Sequence, residues 1–304
     1  MKTLLISGMN GFVGSNLKEY LKNGYEIIGV SRKSNNTILS FKELNSTLFN
    51  NGTAFIHLAG KAHDLKKTAN DSDYFTVNTE LTKQLFDTFL QSDWPVFIYM
   101  SSVKAVAEVV DGVLIEDVVP NPITPYGKSK LAAENYILFK EIPETKRVYI
   151  LRPCMIHGPN NKGNLNLLYS FVAKGIPYPF GSYKNKRSFV SVENLCFIIL
   201  ELLTNQSIPS GVYNIADDSS LATNEVVQIM GETMGKKARI LNIPKFLIKS
   251  VARLGDVVPI PFNSERLKKL TENYVVSNQK IKQAINKRLP LTAKEGLKKT
   301  FSSF

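Results

Sequence analysis

Tyr126 and Lys130 stand four residues apart in Thr124-Pro125-Tyr126-Gly127-Lys128-Ser129-Lys130. On a helix that spacing sends both side chains out on one face. Thr124 is suited to cap such a helix and Pro125 to begin it. A free phenol, with a pKa of ~10, is a poor acid–base group at neutral pH. A neighbouring ammonium favours the phenolate and brings the titration toward neutrality. Ser101-Ser102 closes an apolar run upstream and can place a hydroxyl against the same substrate oxygen. A Tyr–Lys pair at this spacing arises often by chance. Behind a serine at a strand end it describes a proton-transfer site.

Gly8-Met9-Asn10-Gly11-Phe12-Val13-Gly14 follows the first apolar run, with glycines three apart. Gly8 suits a tight turn, Gly11 lets a pyrophosphate reach the backbone, and Gly14 lets the next helix pack closely on the strand. The helix start adds N–H donors and a partial positive charge. The spacing is a weak signal alone and a strong one between an opening strand and an amphipathic helix. It implies a dinucleotide held along Gly8, Asn10, Gly11, Phe12, Val13 and Gly14. Where the second apolar run ends, Ser31 and Arg32 fill the slot in which a carboxylate would favour a free ribose 2′-hydroxyl, with Lys33 behind them. Arginine there favours a 2′-phosphate. NADP(H) is therefore the expected cofactor, with NAD(H) left open. An oxidised nicotinamide ring would add a second positive charge beside Tyr126.

Short apolar runs at Lys2–Ser7, Tyr25–Val30, Ala54–Ala59, Val96–Met100, Val148–Leu151 and Val212–Ile215 read as buried strands. Phe12–Lys22, Tyr74–Leu90, Tyr126–Phe139 and Leu165–Lys174 read as helices. The alternation predicts an α/β fold, a doubly wound parallel sheet of Rossmann type. The segment Asn36–Asn51 is short and polar, so a unit there is abbreviated. Past Arg152 the pattern loosens into a smaller, mostly helical part. The expected partition gives 1–155 and 187–218 to the nucleotide-binding domain, and 156–186 and 219–304 to a substrate domain.

The 304 residues are 43% hydrophobic and 21% charged, which excludes disorder. No run nears the roughly 18 apolar residues of a membrane span; the longest, Phe197–Leu203, is broken by Glu201. The opening apolar run ends at Ser7-Gly8, too early for a signal peptide. Two cysteines, Cys154 and Cys196, need no disulfide framework, and a cytoplasmic protein with reduced thiols is expected. The net charge of +12 is scattered in pairs such as Lys236-Lys237 and Lys268-Lys269. It suits an anionic small substrate better than nucleic acid. His57 reads as a hydrogen-bonded core residue and His63 as a loop residue. With His157 they offer no metal-binding spacing. Lys245–Arg253 is amphipathic and basic, and is expected to pack on the C-terminal part rather than attach to a membrane.

Over essentially its whole length the chain resembles the extended short-chain dehydrogenase/reductase family of nucleotide-sugar epimerases, dehydratases and reductases. The resemblance rests on the glycine loop, His57-Leu58-Ala59-Gly60, Val77-Asn78, Ser101-Ser102, Tyr126 with Lys130, and Leu151-Arg152-Pro153. It implies a nicotinamide-binding domain and a smaller domain that closes on a nucleoside-diphosphate sugar. It implies that Ser102, Tyr126 and Lys130 are catalytic, and that Leu58, Ala59, Gly60 and Asn78 join the loop around the cofactor. Asn164 and Arg187 match positions where family members hold the substrate diphosphate. A homodimer is compatible with the family. Ser101-Ser102-Val103-Lys104, Lys162-Gly163-Asn164, Gly175-Ile176-Pro177-Tyr178-Pro179 and Asn185-Lys186-Arg187-Ser188 look like the 4-reductases of UDP-2-acetamido-2,6-dideoxy-4-hexuloses, the UDP-N-acetylquinovosamine type.

Some residues depart from the family. Its dehydratases carry Asp-Glu after the catalytic hydroxyl residue; Val103-Lys104 stands here, which argues against dehydration. An asparagine common near Met155 is missing, Ala107 replaces a usual glycine, and His157 replaces a usual tyrosine. No acidic residue for the adenine is identifiable in Thr37–Thr47. The expected function is NADPH-dependent reduction of the C4 keto group of a UDP-linked 4-keto-6-deoxy-N-acetylhexosamine for bacterial surface polysaccharide. The alternative is an NAD-dependent UDP-sugar 4-epimerase. A third reading, a non-catalytic nucleotide sensor, is opposed by the intact Ser102, Tyr126 and Lys130.

Overall fold

A computed structural model describes residues 2–32, 38–41, 44, 52–61, 70–161, 163–258 and 262–304. Its centre is a seven-stranded sheet built from β1 (Lys2–Ser7), β2 (Tyr25–Ser31), β3 (Ile38–Ser40), β4 (Gly52–His57), β5 (Val96–Met100), β7 (Arg147–Pro153) and β10 (Gly211–Ile215). The strand order is β10-β7-β5-β4-β1-β2-β3, and every pair is parallel. Strands covered on both faces read as continuous apolar runs, and that is how these runs were recognisable. From β1 the chain builds outward to β2 and β3, then crosses to the other side of β1 with β4. Such a reversal leaves a crevice at the C-terminal strand ends.

Alternate residues of the same strands feed two apolar clusters. Leu4, Ile6, Ile56 and Ile98 pack with helices α1 (Phe12–Leu21) and α6 (Val192–Thr204). Leu5, Phe55, Phe97 and Tyr99 pack with α3 (Leu81–Gln91) and α4 (Pro125–Phe139). A third cluster joins α5 (Asn164–Ala173), α7 (Thr223–Thr233), α8 (Lys245–Val257), α9 (Ser264–Thr271) and α11 (Ala293–Phe301). Among the described residues, α2 (Asp71–Tyr74) and α10 (Gln279–Ile285) complete the set of α-helices.

The expected helix Tyr74–Leu90 is continuous but mixed. A π-helical stretch, Phe75–Glu80, lies between α2 and α3 and carries Asn78. β4 ends at His57 rather than Ala59. Leu58 N–H still bonds Ser7 O at 3.1 Å, but the Ala59 N–H turns to the Ser7 hydroxyl at 3.2 Å. Leu58, Ala59 and Gly60 therefore belong to the crevice. The paired strands β6 (Val113–Leu114) and β11 (Val275–Val276), and β8 (Met155–His157) and β9 (Phe189–Ser191), have two or three residues each. That is too short for any periodic signal. Of the expected abbreviated unit at Asn36–Asn51, β3 is described, while most of the remainder lies outside the described residues, as do Lys33, His63 and Lys162.

Cys154 and Cys196 are buried, free thiols. Burial pushes the Cys196 thiol up to about 12 and Cys154 well above its usual value. Among the described residues no helix is long and apolar enough to cross a membrane.

Candidate active site

The crevice begins at the turn from β1 into α1. Gly8 has φ +75°, in the left-handed region that disfavours side chains, and a Cβ there would lie 2.7 Å from Ala59 N. A Cβ on Gly14 would lie 2.3 Å from Gly8 O and 2.6 Å from Met9 Cα. The helix thus closes on the loop itself, more tightly than on the strand. Gly11 caps α1 without any side-chain hydrogen bond. Asn10 and Gly11 are exposed, while Phe12 and Val13 pack against the core. The first turn therefore offers backbone N–H groups and a partial positive charge to an anion. Gly8 N–H reaches Val30 O at 3.4 Å, which sets the β2 end beside the loop. Ser31 is half-buried there, and Arg32 is exposed. These features fit a dinucleotide pyrophosphate with an arginine beyond it.

His57 locks the floor of the loop. Its Nδ1 is 2.6 Å from Ser7 Oγ and its Nε2 2.9 Å from Thr82 Oγ1. Thr82 already donates its proton to Asn78 O, so it accepts from Nε2–H, and Nδ1 accepts from Ser7. Burial, then the charge of Lys130, lowers the His57 pKa to about 3. The ring is neutral and structural, as expected from its strand position.

Thr124 Oγ1 accepts from Gly127 N–H at 3.2 Å and Pro125 opens α4, so the expected cap is in place. From this helix Tyr126 shares a hydrogen bond with the Ser102 side chain. One turn on, Lys130 Nζ donates to Met100 O at 2.8 Å and stands 4.9 Å over the Tyr99 ring. A Cβ on Gly60 would be 3.1 Å from Lys130 Nζ and 3.0 Å from Asn78 Oδ1. The ends of β4 and β5 and the face of α4 thus meet at one point. Asn78 Oδ1 accepts from Lys61 N at 2.7 Å, and its Nδ2 donates to Lys61 O and Ser129 Oγ. It holds the crevice wall in place.

The electrostatics differ from the expected lowering of the phenol by Lys130. In this chain Tyr126 is raised above its usual value, first by burial, against the opposing Ser102 hydrogen bond; Glu108 and Tyr74 raise it further. Burial outweighs the other influences on Tyr126, and Lys130 Nζ is turned toward Met100 O and the Tyr99 face. Burial also lowers Lys130 to about 8, with Glu134 opposing.

Several interactions at the site had no counterpart in the sequence pattern. Ser101 Oγ donates to Glu134 Oε1, and Arg152 forks onto the same carboxylate at 2.6–3.1 Å, all three buried. Glu134 lies four residues past Lys130 on the same helix face, a spacing that could have revealed it. Ser101 is thus structural, and Ser102 faces Tyr126. Glu108 takes Lys104 Nζ at 3.1 Å and the Thr124 hydroxyl at 2.5 Å. Tyr74 packs edge-on to Tyr126 with centroids 6.3 Å apart.

Arg187 is half-buried and donates to Lys269 O at 2.7 Å. Burial lowers its pKa, with Glu272, Tyr178 and Tyr274 opposing. Tyr274 also donates to Ala107 O at 2.7 Å, so one ring links the Arg187 side to the segment after Ser102. No local pattern in the sequence announced Tyr274. Asn164 is exposed at the first position of α5.

Known proteins fit this geometry. The model of the NAD dependent epimerase/dehydratase family matches residues 4–216. A UDP-glucose 4-epimerase of Vibrio cholerae is 30% identical over 100% of this chain and 95% of its own length. A GDP-6-deoxy-D-mannose reductase of Pseudomonas aeruginosa is 24% identical over 79% of this chain and 83% of its own. The structure of MoeE5 in complex with UDP-glucose and NAD superposes with a TM-score of 0.76 at 21% identity, covering 99% of this chain and 98% of that one.

Proposed function

Because this chain belongs to the NAD-dependent epimerase/dehydratase family, we propose that it uses NADPH to reduce the C4 keto group of a UDP-linked 4-keto-6-deoxy-N-acetylhexosamine. A nicotinamide cofactor, when bound, supplies the hydride. Tyr126 donates the proton that neutralises the C4 oxygen, and Ser102 hydrogen-bonds that oxygen. Lys130 holds the nicotinamide ribose. The first turn of α1 binds the pyrophosphate, Arg32 the 2′-phosphate, and Arg187 with Asn164 the substrate diphosphate. The substrate side falls to 156–186 and 219–304.

The observation that carries the reductase direction is Arg32, exposed where β2 ends beside the glycine loop, with Ser31 rather than a carboxylate before it. A reductase draws on NADPH at every turnover, whereas an epimerase recycles a bound cofactor. Tyr126, buried and hydrogen-bonded to Ser102, is positioned to supply the proton. The Vibrio cholerae relative favours a second reading, a UDP-sugar 4-epimerase that keeps NAD bound.

Two measurements separate them. UDP-4-keto sugars incubated with NADPH should give loss of cofactor absorbance and a single C4 configuration, and Arg32→Ala should weaken NADPH far more than NADH. Protein purified with stoichiometric NAD, interconverting UDP-hexoses without net cofactor consumption, would establish the epimerase instead.

A further inference from the structure

Helix α8 is anchored by Ile248 and Ala252, which are buried, so the expected packing on the C-terminal part holds for one face. The opposite face is exposed among the described residues. Phe246, Leu247, Val251, Leu254 and Val257 are all exposed, Phe246 by 68% and Val257 by 85%. At 100° per residue these five fall within one arc of about 140°. A contiguous exposed apolar stripe of this size marks an interaction surface. Lys245, Lys249 and Arg253, spaced four apart and exposed, border it on one side. The packed neighbour α9 adds exposed Arg266, Lys268 and Lys269. Against these six cations the two helices hold two carboxylates: Asp256, which accepts from Ser264 N–H and Oγ at 3.0 and 2.6 Å, and Glu265, which pairs with Lys269 at 2.7 Å.

We propose that α8 docks this protein onto an anionic phospholipid surface, its apolar stripe at the level of the acyl boundary and its basic border among the headgroups. The charge pattern selects this occupant. An amphipathic helix with lysine and arginine beside large apolar residues suits the membrane interface. A negative leaflet attracts such a border over about one Debye length. A second copy of the chain would bring the same Lys245, Lys249 and Arg253 border to the contact, and like charges facing each other oppose self-association.

The test is flotation of the full chain with vesicles of phosphatidylcholine, alone or mixed with phosphatidylglycerol, at low and high salt. The protein should float with the anionic vesicles only, and less at high salt. Replacing Lys245, Lys249 and Arg253 together by Gln should lower the affinity by about two orders of magnitude. Replacing Phe246, Leu254 and Val257 together by Ser should abolish flotation while thermal unfolding stays unchanged. Leu254→Cys, labelled with a polarity-sensitive fluorophore, gives a readout that does not depend on those variants folding; Cys154 and Cys196 are buried. Its emission should shift blue on anionic vesicles. Equal behaviour with neutral vesicles, no flotation, or no spectral shift overturns the proposal. So does a dimer in sedimentation that the Ser variant dissolves, which would assign the face to a second copy.

Discussion

Tyr126, Ser102 and Lys130 were legible because their signal is local. Four residues on a helix and a serine at a strand end place three side chains without knowledge of the rest. Their electrostatics were not legible, because these depend on what else each group touches. Lys130 reaches Met100 O, a partner thirty residues away in sequence, and Tyr126 feels its own burial first. The proposed roles separate by substitution. Tyr126→Phe removes only a hydroxyl, so fold and cofactor binding should survive while turnover falls by about 10²–10⁴. Retention of most of the turnover would remove Tyr126 from the mechanism. Lys130 titrates at about 8, so its ammonium is present below that pH and lost above it. Cofactor affinity, followed by fluorescence titration, should weaken as pH rises through about 8. The same titration with Lys130→Met should start weaker and be flat; a parallel slope in both would assign the titration to another group.

At the scale of elements, the apolar runs located the sheet to within a residue or two, because buried parallel strands have little latitude in composition. What they missed was too short, as in β6, β8, β9 and β11, a change of helical pitch, as at Phe75–Glu80, or a helix apolar on nearly every face, as in α6 (Val192–Thr204). Pitch is set by tertiary contacts such as Asn78 with Lys61 and Ser129. The tight turn at Gly8 was legible, but the partner of Gly14 is the loop backbone rather than the strand. That sharpens a prediction. In Gly14→Ala a methyl group would stand 2.3 Å from Gly8 O, and backbone cannot swing aside as a side chain can. Overpacking of this sort costs about 1–3 kcal/mol or more. Loss of stability in chemical denaturation should therefore accompany loss of dinucleotide binding. The buried Glu134–Arg152 pair predicts a comparable effect behind the site. Glu134→Gln leaves the Arg152 charge uncompensated and should cost about 3–5 kcal/mol. A variant as stable as the parent would show that Arg152 finds another partner.

Across the whole molecule, the sheet, the loop and the α3 helix are joined through one neutral imidazole. His57 lies in β4, takes the hydroxyl of Ser7 from β1 and gives its N–H to Thr82 of α3. Its position on a buried strand was readable; its three-way role was not, because Ser7 and Thr82 lie 50 and 25 residues away. The consequence is a definite pH dependence. In the unfolded chain this histidine titrates near 6.5, and in the fold near 3. Between those values the unfolded state binds the extra proton, so stability rises with pH across the window and is lost as pH falls from 6.5 toward 3. The +12 net charge acts in the same direction, because each carboxylate neutralised in acid adds to the repulsion. His57→Gln separates the two. Glutamine keeps one acceptor for Ser7 and one donor for Thr82 but does not titrate. Denaturant midpoints measured from neutral pH down to about pH 4 should fall more steeply for the parent than for the variant. Parallel profiles would mean that His57 is protonated in the fold or released from it before unfolding, and that the acid sensitivity belongs to the carboxylates alone.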